Sequence, residues 1–181
     1  MNFEGTGLEG AYLVIPERME DDRGFFARTW CVREFSDKGL ETRLVQCNTS
    51  FNRQKGTLRG MHYQVPPFEE VKLVRCTRGA IYDVILDLRP GSETFGKHFG
   101  AVLDEGNRSM LYIPKGFAHG FLTLETGSEV FYQMSEFYAP ECARGLRWND
   151  PAFRIPWPDP VCVISDRDRN YPDFRGGGTV R

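Results

Sequence analysis

The chain has 181 residues and a formal net charge of −2, from 23 basic and 25 acidic side chains. Both signs are mixed along the sequence, which excludes a nucleic-acid or membrane-surface protein whose basic patch would show in the totals. No apolar run is long enough to span a bilayer, and the length is that of one domain with a sizeable core, expected over 1–175.

Met1-Asn2-Phe3-Glu4-Gly5 carries neither the basic nor the apolar region of a secretory signal. Asp21-Asp22-Arg23-Gly24-Phe25-Phe26 reads as a surface turn before a strand. It also reads as an anion contact beside two aromatics that could stack on a base. Val32–Lys38, stopped by Gly39, is the helix expected in the first half. Strands are expected over Val71–Arg78, Ala80–Leu88, Gly96–Leu103, Ser109–Ile113, Ala118–Leu124 and Ser128–Met134, with Gly and Pro between them. Alternation puts Ile81, Asp83 and Ile85 on one face and Tyr82, Val84 and Leu86 on the other. Pro151–Pro160 is too rich in proline for a regular element and is expected to wrap the outside. Gly176-Gly177-Gly178 marks a flexible tail over 176–181. Short strands at this spacing predict an all-β sandwich or barrel, whose mouth can hold one small ligand.

The five cysteines, at 31, 47, 76, 142 and 162, form no C-x-x-C pair. They are expected as small core fillers in a reducing cytoplasm rather than as a disulfide or zinc framework.

Two of the three histidines lie in glycine- and aromatic-rich segments, His62 in Gly56–Gln64 and His119 in Ile113–Phe121. An imidazole in a pocket is the usual proton-transfer group near neutral pH. His62 equally suits a core position satisfied by a backbone carbonyl. On a strand Gly60, His62 and Gln64 share a face, and a bulge at Gly60 would bring Arg59 to it. Lys72 opens an apolar strand; it reads as an edge lysine or as an inward cation stabilising an enolate or phosphate. Asp83 sits within an apolar strand and needs a partner, either a histidine to orient or a structural donor. Tyr132 and Tyr138 are candidate proton donors or packing residues. No His-x-His occurs, so the site is expected to hold no metal.

Taken together these segments resemble the dTDP-4-dehydrorhamnose 3,5-epimerase family. The stretches that carry the resemblance are Asp22–Phe26, Gly56–Gln64, Lys72–Arg75, Thr94–Lys97, Ile113–Phe121, Tyr132, Tyr138–Pro140 and Arg147–Pro151, in family order. The resemblance implies a cupin-type jelly roll, a homodimer, no cofactor, and a nucleotide-linked 4-keto-6-deoxyhexose as substrate. It assigns His62 as base, Asp168 as the carboxylate behind it, Tyr132 as opposing acid and Lys72 as the cation at the enolate oxygen. Asp83 and His119 match pocket residues, Gln46, Asn48 and Arg59 match substrate contacts, and Tyr138 lies beside the sugar. Arg23 and Phe26 match nucleotide contacts lent by the partner subunit.

Two departures stand out. Arg28 replaces a glutamate that many members carry near the thymine; a guanidinium only donates, so a CDP- or GDP-linked sugar becomes an alternative. Val71 replaces the usual glycine before the lysine, an expected change at the pocket edge that bears on whether one or two carbons invert. A C3-only epimerase, a sugar 3,4-ketoisomerase, a non-catalytic sugar-binding cupin and a metal-dependent cupin dioxygenase are the other readings. The Tyr132-type acid favours epimerisation over the ketoisomerase.

Overall fold

The period-two alternation at Ile81–Leu86 holds in the computed structural model, which describes residues 1–174. Ile81 and Ile85 join one buried cluster, Val84 and Leu86 another. The expected tail at 176–181 lies outside the described residues. In chain order the strands are β1 (Asn2–Gly5), β2 (Tyr12–Ile15), β3 (Arg18–Asp21), β4 (Gly24–Ala27), β5 (Gln46–Asn52), β6 (Thr57–Gln64) and β7 (Lys72–Arg78). They continue as β8 (Ala80–Asp87), β9 (His98–Asp104), β10 (Met110–Ile113), β11 (Phe117–Thr123), β12 (Ser128–Met134), β13 (Ala143–Gly145) and β14 (Val163–Ile164). The helices are α1 (Val32–Ser36) and α2 (Asp166–Arg169).

One sheet runs β1-β2-β10-β7-β12-β5; the other runs β13-β6-β11-β8-β9, with β14 added in parallel to β6. The architecture is the expected all-β, cupin-type jelly roll. Residues from both sheets, among them Val74, Ile81, Leu103, Leu111, Phe121 and Val130, fill the space between them. The outer face of the β6–β11–β8 sheet is covered by Leu146, Phe153, Ile155 and Trp157, so the proline-rich segment does wrap the outside without regular structure. The outer face of the other sheet packs on Phe35 of α1, which is fully buried against Val14, Leu73, Met110 and Tyr112.

Strand β9 starts at His98 rather than Gly96, because Gly96 takes φ +74 in a turn and donates its N–H to the Asp87 carbonyl. The Asp21–Gly24 turn closes a separate hairpin, β3–β4, whose Phe26 is 64% exposed. Cys76 and Cys142 are buried as core fillers, but Cys47 and Cys162 are exposed, a correction to the expectation for the cysteines. Alternation along β5 explains Cys47: it points opposite to Gln46 and Asn48, which face the interior.

At Gly60 the register between β6 and β11 shifts, with His62 opposite His119 but Arg59 opposite Phe121. This is the expected bulge, and it returns Arg59 to the side of His62. Gly60 has φ +135, and a Cβ there would lie 2.5 Å from the Gly120 Cα and 3.0 Å from the His119 carbonyl oxygen. Gly60→Ala is therefore expected to destabilise the fold by at least about 2 kcal/mol, combining backbone strain with overpacking. Chemical denaturation measures it; a loss under about 0.5 kcal/mol would mean that the two strands separate at little cost.

No helix among the described residues is long and apolar enough to cross a membrane.

Candidate active site

Between the sheets opens a cleft of about 1000 Å³. Alternation decides which side chains face it. On β7, Leu73 packs outward beneath α1, so Lys72 points inward. On β12, Val130 lies in the central core and Tyr132, two residues on, faces the cleft beside it. Asn48 on β5 is the register partner of Tyr132 and shares its face. From the opposite sheet come His62 and Arg59 on β6 and His119 on β11.

His62 Nε2 lies 2.7 Å from Asp168 Oδ1; the side chains are 43% and 6% exposed. The two residues are 106 positions apart, and three local features join them. Strand β14 runs parallel to β6, pairing Val163 with Thr57 and Ile164 with Leu58. Ser165 then caps α2 by accepting the Asp168 N–H. The Gly60 N–H donates to Asp168 Oδ2 at 3.4 Å. With the Asp168 carboxylate as acceptor, Nε2 of the neutral ring carries the proton and the Nδ1 lone pair is left free.

Burial works against the Asp168 charge, but His62, the Gly60 N–H and Ser165 outweigh it and hold the carboxyl below its ordinary value of 3.8. A lowered folded-state value means that the ionised group adds stability above the ordinary value and loses it as pH falls through the lowered one. Asp168→Asn is thus expected to melt below the wild type at about pH 6, the gap closing towards about pH 3. A gap independent of pH, read by thermal melts across that range, would show that the Asp168 charge contributes nothing.

A second dyad stands beside the first. His119 Nε2 is 2.7 Å from Asp83 Oδ1, and Asp83 is fully buried. Of the two readings of Asp83, the structure supports orientation of a histidine; Asp83 meets the cleft only through His119.

Lys72 lies on an interior strand between β10 and β12, which rules out the edge-lysine reading. Its Nζ is 2.6 Å from Glu70 Oε1, with both side chains at most a tenth exposed. Burial pushes the Tyr132 phenol above its ordinary value of 10.0; Arg59 opposes this and Glu70 reinforces it. Arg59 Nε donates to Asn52 Oδ1 at 2.8 Å. Gln46 accepts from the Tyr138 N–H at 3.4 Å, and Arg167 Nε donates to the Tyr171 phenol at 2.8 Å.

Arg23, Phe26 and Arg28 stand apart from the cleft of their own chain. Arg23 is 90% exposed and pairs with Asp21 in the β3–β4 turn, while Arg28 pairs with Glu34 of α1 at 3.1 Å. The Val71 side chain packs towards Phe35 and Leu73, away from the cleft, so the expected change at the pocket edge does not follow from it.

Sequence reasoning missed Glu70 and Arg167 and placed Gln64 on the His62 face without giving it a part; all three lie in the cleft wall. The signals were present. Glu70 is two residues before Lys72 and Gln64 two after His62, hence on the same faces. Ser165-Asp166-Arg167-Asp168 begins as a capped helix and places Arg167 next to the dyad carboxylate.

A family model described as dTDP-4-dehydrorhamnose 3,5-epimerase matches residues 5–176. The dTDP-4-dehydrorhamnose 3,5-epimerase of Sinorhizobium fredii is 41% identical over 175 residues, covering 96% of this chain and 90% of that protein. The crystal structure of the Bacillus anthracis enzyme of the same name, with TDP and pyrophosphate bound, superposes with a TM-score of 0.92 at 39% identity, covering 96% and 99% of the two chains. The dTDP-6-deoxy-D-glucose-3,5-epimerase of Legionella pneumophila, in complex with dTDP-4-keto-L-rhamnose, gives a TM-score of 0.86 at 36% identity, covering 92% and 89%.

Proposed function

This chain belongs to the dTDP-4-dehydrorhamnose 3,5-epimerase family, and from that premise we propose that it inverts C3 and C5 of a dTDP-linked 4-keto-6-deoxyhexose. The observation that carries the reading is the placement of an Asp168-backed His62 on one sheet and Tyr132 on the other, with Lys72 buried in the same cleft.

The C4 ketone acidifies the hydrogens on C3 and C5. His62 Nδ1 takes one of them, and the electron pair moves through the new C–C double bond onto the C4 oxygen. The Lys72 ammonium stabilises that enolate oxygen, which is where charge develops. Collapse of the enolate returns the electrons to carbon, and the Tyr132 phenol delivers a proton to the opposite face. The centre is inverted. Proton transfer back to Tyr132 and away from His62, through solvent, resets the site. Asp168 stabilises the imidazolium while His62 holds the proton.

Gln46, Asn48, Arg59 and His119 line the cleft as substrate contacts in this reading, and Tyr138 lies beside the sugar. The nucleotide contacts at Arg23, Phe26 and Arg28 are supplied by the exposed β3–β4 hairpin region of a second copy, which makes the working unit a homodimer.

The test is proton NMR of dTDP-4-keto-6-deoxyglucose in heavy water with the purified protein. Deuterium at both C3 and C5 is expected. Label at C3 alone would reduce the activity to a single centre, and label only with CDP- or GDP-linked keto sugars would move the nucleotide preference to Arg28. No label with any of the three overturns the reading.

A further inference from the structure

Glu70 is a carboxylate in the cleft wall to which the proposed reaction gives no part. A negative charge near a developing enolate oxygen raises the cost of forming it. Its position therefore calls for an opposing benefit, and the contacts of Lys72 supply one. The register partners of Lys72 are Ile113 on β10 and Met134 on β12, both apolar and buried. An ammonium on such a strand with no counter-charge is desolvated and sheds its proton readily. Neutral, it could no longer stabilise an oxyanion by charge.

Glu70 Oε1 sits 2.6 Å from Lys72 Nζ. Its other oxygen accepts from Gln64 Nε2 at 2.8 Å. Gln64 is itself 4% exposed, its Nε2 also lies 2.8 and 3.1 Å from the carbonyl oxygens of Phe68 and Phe137, and it accepts the Ala139 N–H at 2.6 Å. The carboxylate is thus fastened to a side chain that ties two loops together. The other titratable or charged groups sharing the cleft are His62 with Asp168, His119 with Asp83, Tyr132 on the neighbouring strand, Tyr63, Tyr138, and the arginines at 59, 144 and 167. The ion-pair partner of Lys72 among the described residues is Glu70.

Resting on the reading of Lys72 as the cation at the enolate oxygen, we propose that Glu70 is a positioning residue, held by Gln64, that keeps the Lys72 ammonium charged and its Nζ at the cleft wall. Glu70 acts through Lys72 alone and touches no reacting atom.

The chain has five lysines, so protein labelled with 13C at lysine Cε gives a resolvable set of signals. The Lys72 signal is the one absent from Lys72→Met. In Glu70→Gln its midpoint is expected to fall below that of the wild type by about one to three units. Glu70→Asp recovers at least part of that fall. In the heavy-water assay Glu70→Gln lowers kcat about 10- to 100-fold, leaves KM within about threefold, and adds a decline in kcat as pH rises above neutrality. In a Lys72→Met background Glu70→Gln changes kcat by less than about twofold. An unshifted Lys72 titration in Glu70→Gln overturns the proposal. So does a further full loss of kcat when Glu70→Gln is added to Lys72→Met. A wild type that labels neither carbon instead sinks the epimerase reading, and the lysine titration then decides by itself whether Glu70 holds the Lys72 charge.

Discussion

Replacing His62 by alanine is expected to lower hydrogen exchange at both C3 and C5 by about 10²- to 10⁴-fold, the range over which a positioned general base acts. The effect is large because no neighbour can take over. His119 faces the same cleft with its own carboxylate partner, Asp83, but it projects from β11 opposite His62 rather than in its place. The loss should be equal at the two carbons, since one base serves both in turn. Heavy-water NMR reads each position separately. Continued exchange at either carbon in His62→Ala would mean that a second base operates there, with His119 the first suspect.

Tyr132→Phe is expected to separate two steps that the wild type couples. His62 still removes a hydrogen and Lys72 still meets the enolate, so solvent deuterium continues to enter with retained configuration. Inversion slows by about 10²- to 10³-fold, because the opposite face has lost its proton donor. Lost packing is small, as only the hydroxyl goes. Burial keeps the phenol protonated beyond its ordinary value of 10.0, so wild-type inversion should not decline from titration of Tyr132 until the pH passes that value. The comparison is between deuterium incorporation and formation of the inverted sugar in one sample. Normal inversion by Tyr132→Phe would remove Tyr132 from the acid role.

The roles of these residues follow from where a short pattern puts them. Alternation is a local property of an extended chain, so it is legible in the residues of Ala80–Leu88 alone. Strand limits came within a few residues, and the misses had local causes such as the Gly96 turn at the start of β9. The bulge at Gly60 was readable too, because a glycine inside a strand marks a close approach of backbones. The facing of Lys72 was not. Its segment suits an edge strand or an interior one, and only the order β10-β7-β12 shows that both of its edges are paired. The same holds for Cys47, whose exposure depends on which face of β5 the partner sheet covers.

By itself the sequence determined the two faces of Ala80–Leu88, a helix expected over Val32–Lys38 that in the structure ends at Ser36, and the wrapping segment without regular structure, since all three depend on neighbouring residues alone. Its series of motifs also identified the family. The resemblance placed Asp168 behind His62, but only the tertiary structure decided how the two meet across 106 residues, that Asp83 stands behind His119, and that Glu70 and Gln64 hold Lys72. Those contacts depend on strand register and on the docking of β14 and α2 against β6. Both are settled by burial summed over the whole sandwich, a quantity that no short stretch of chain contains.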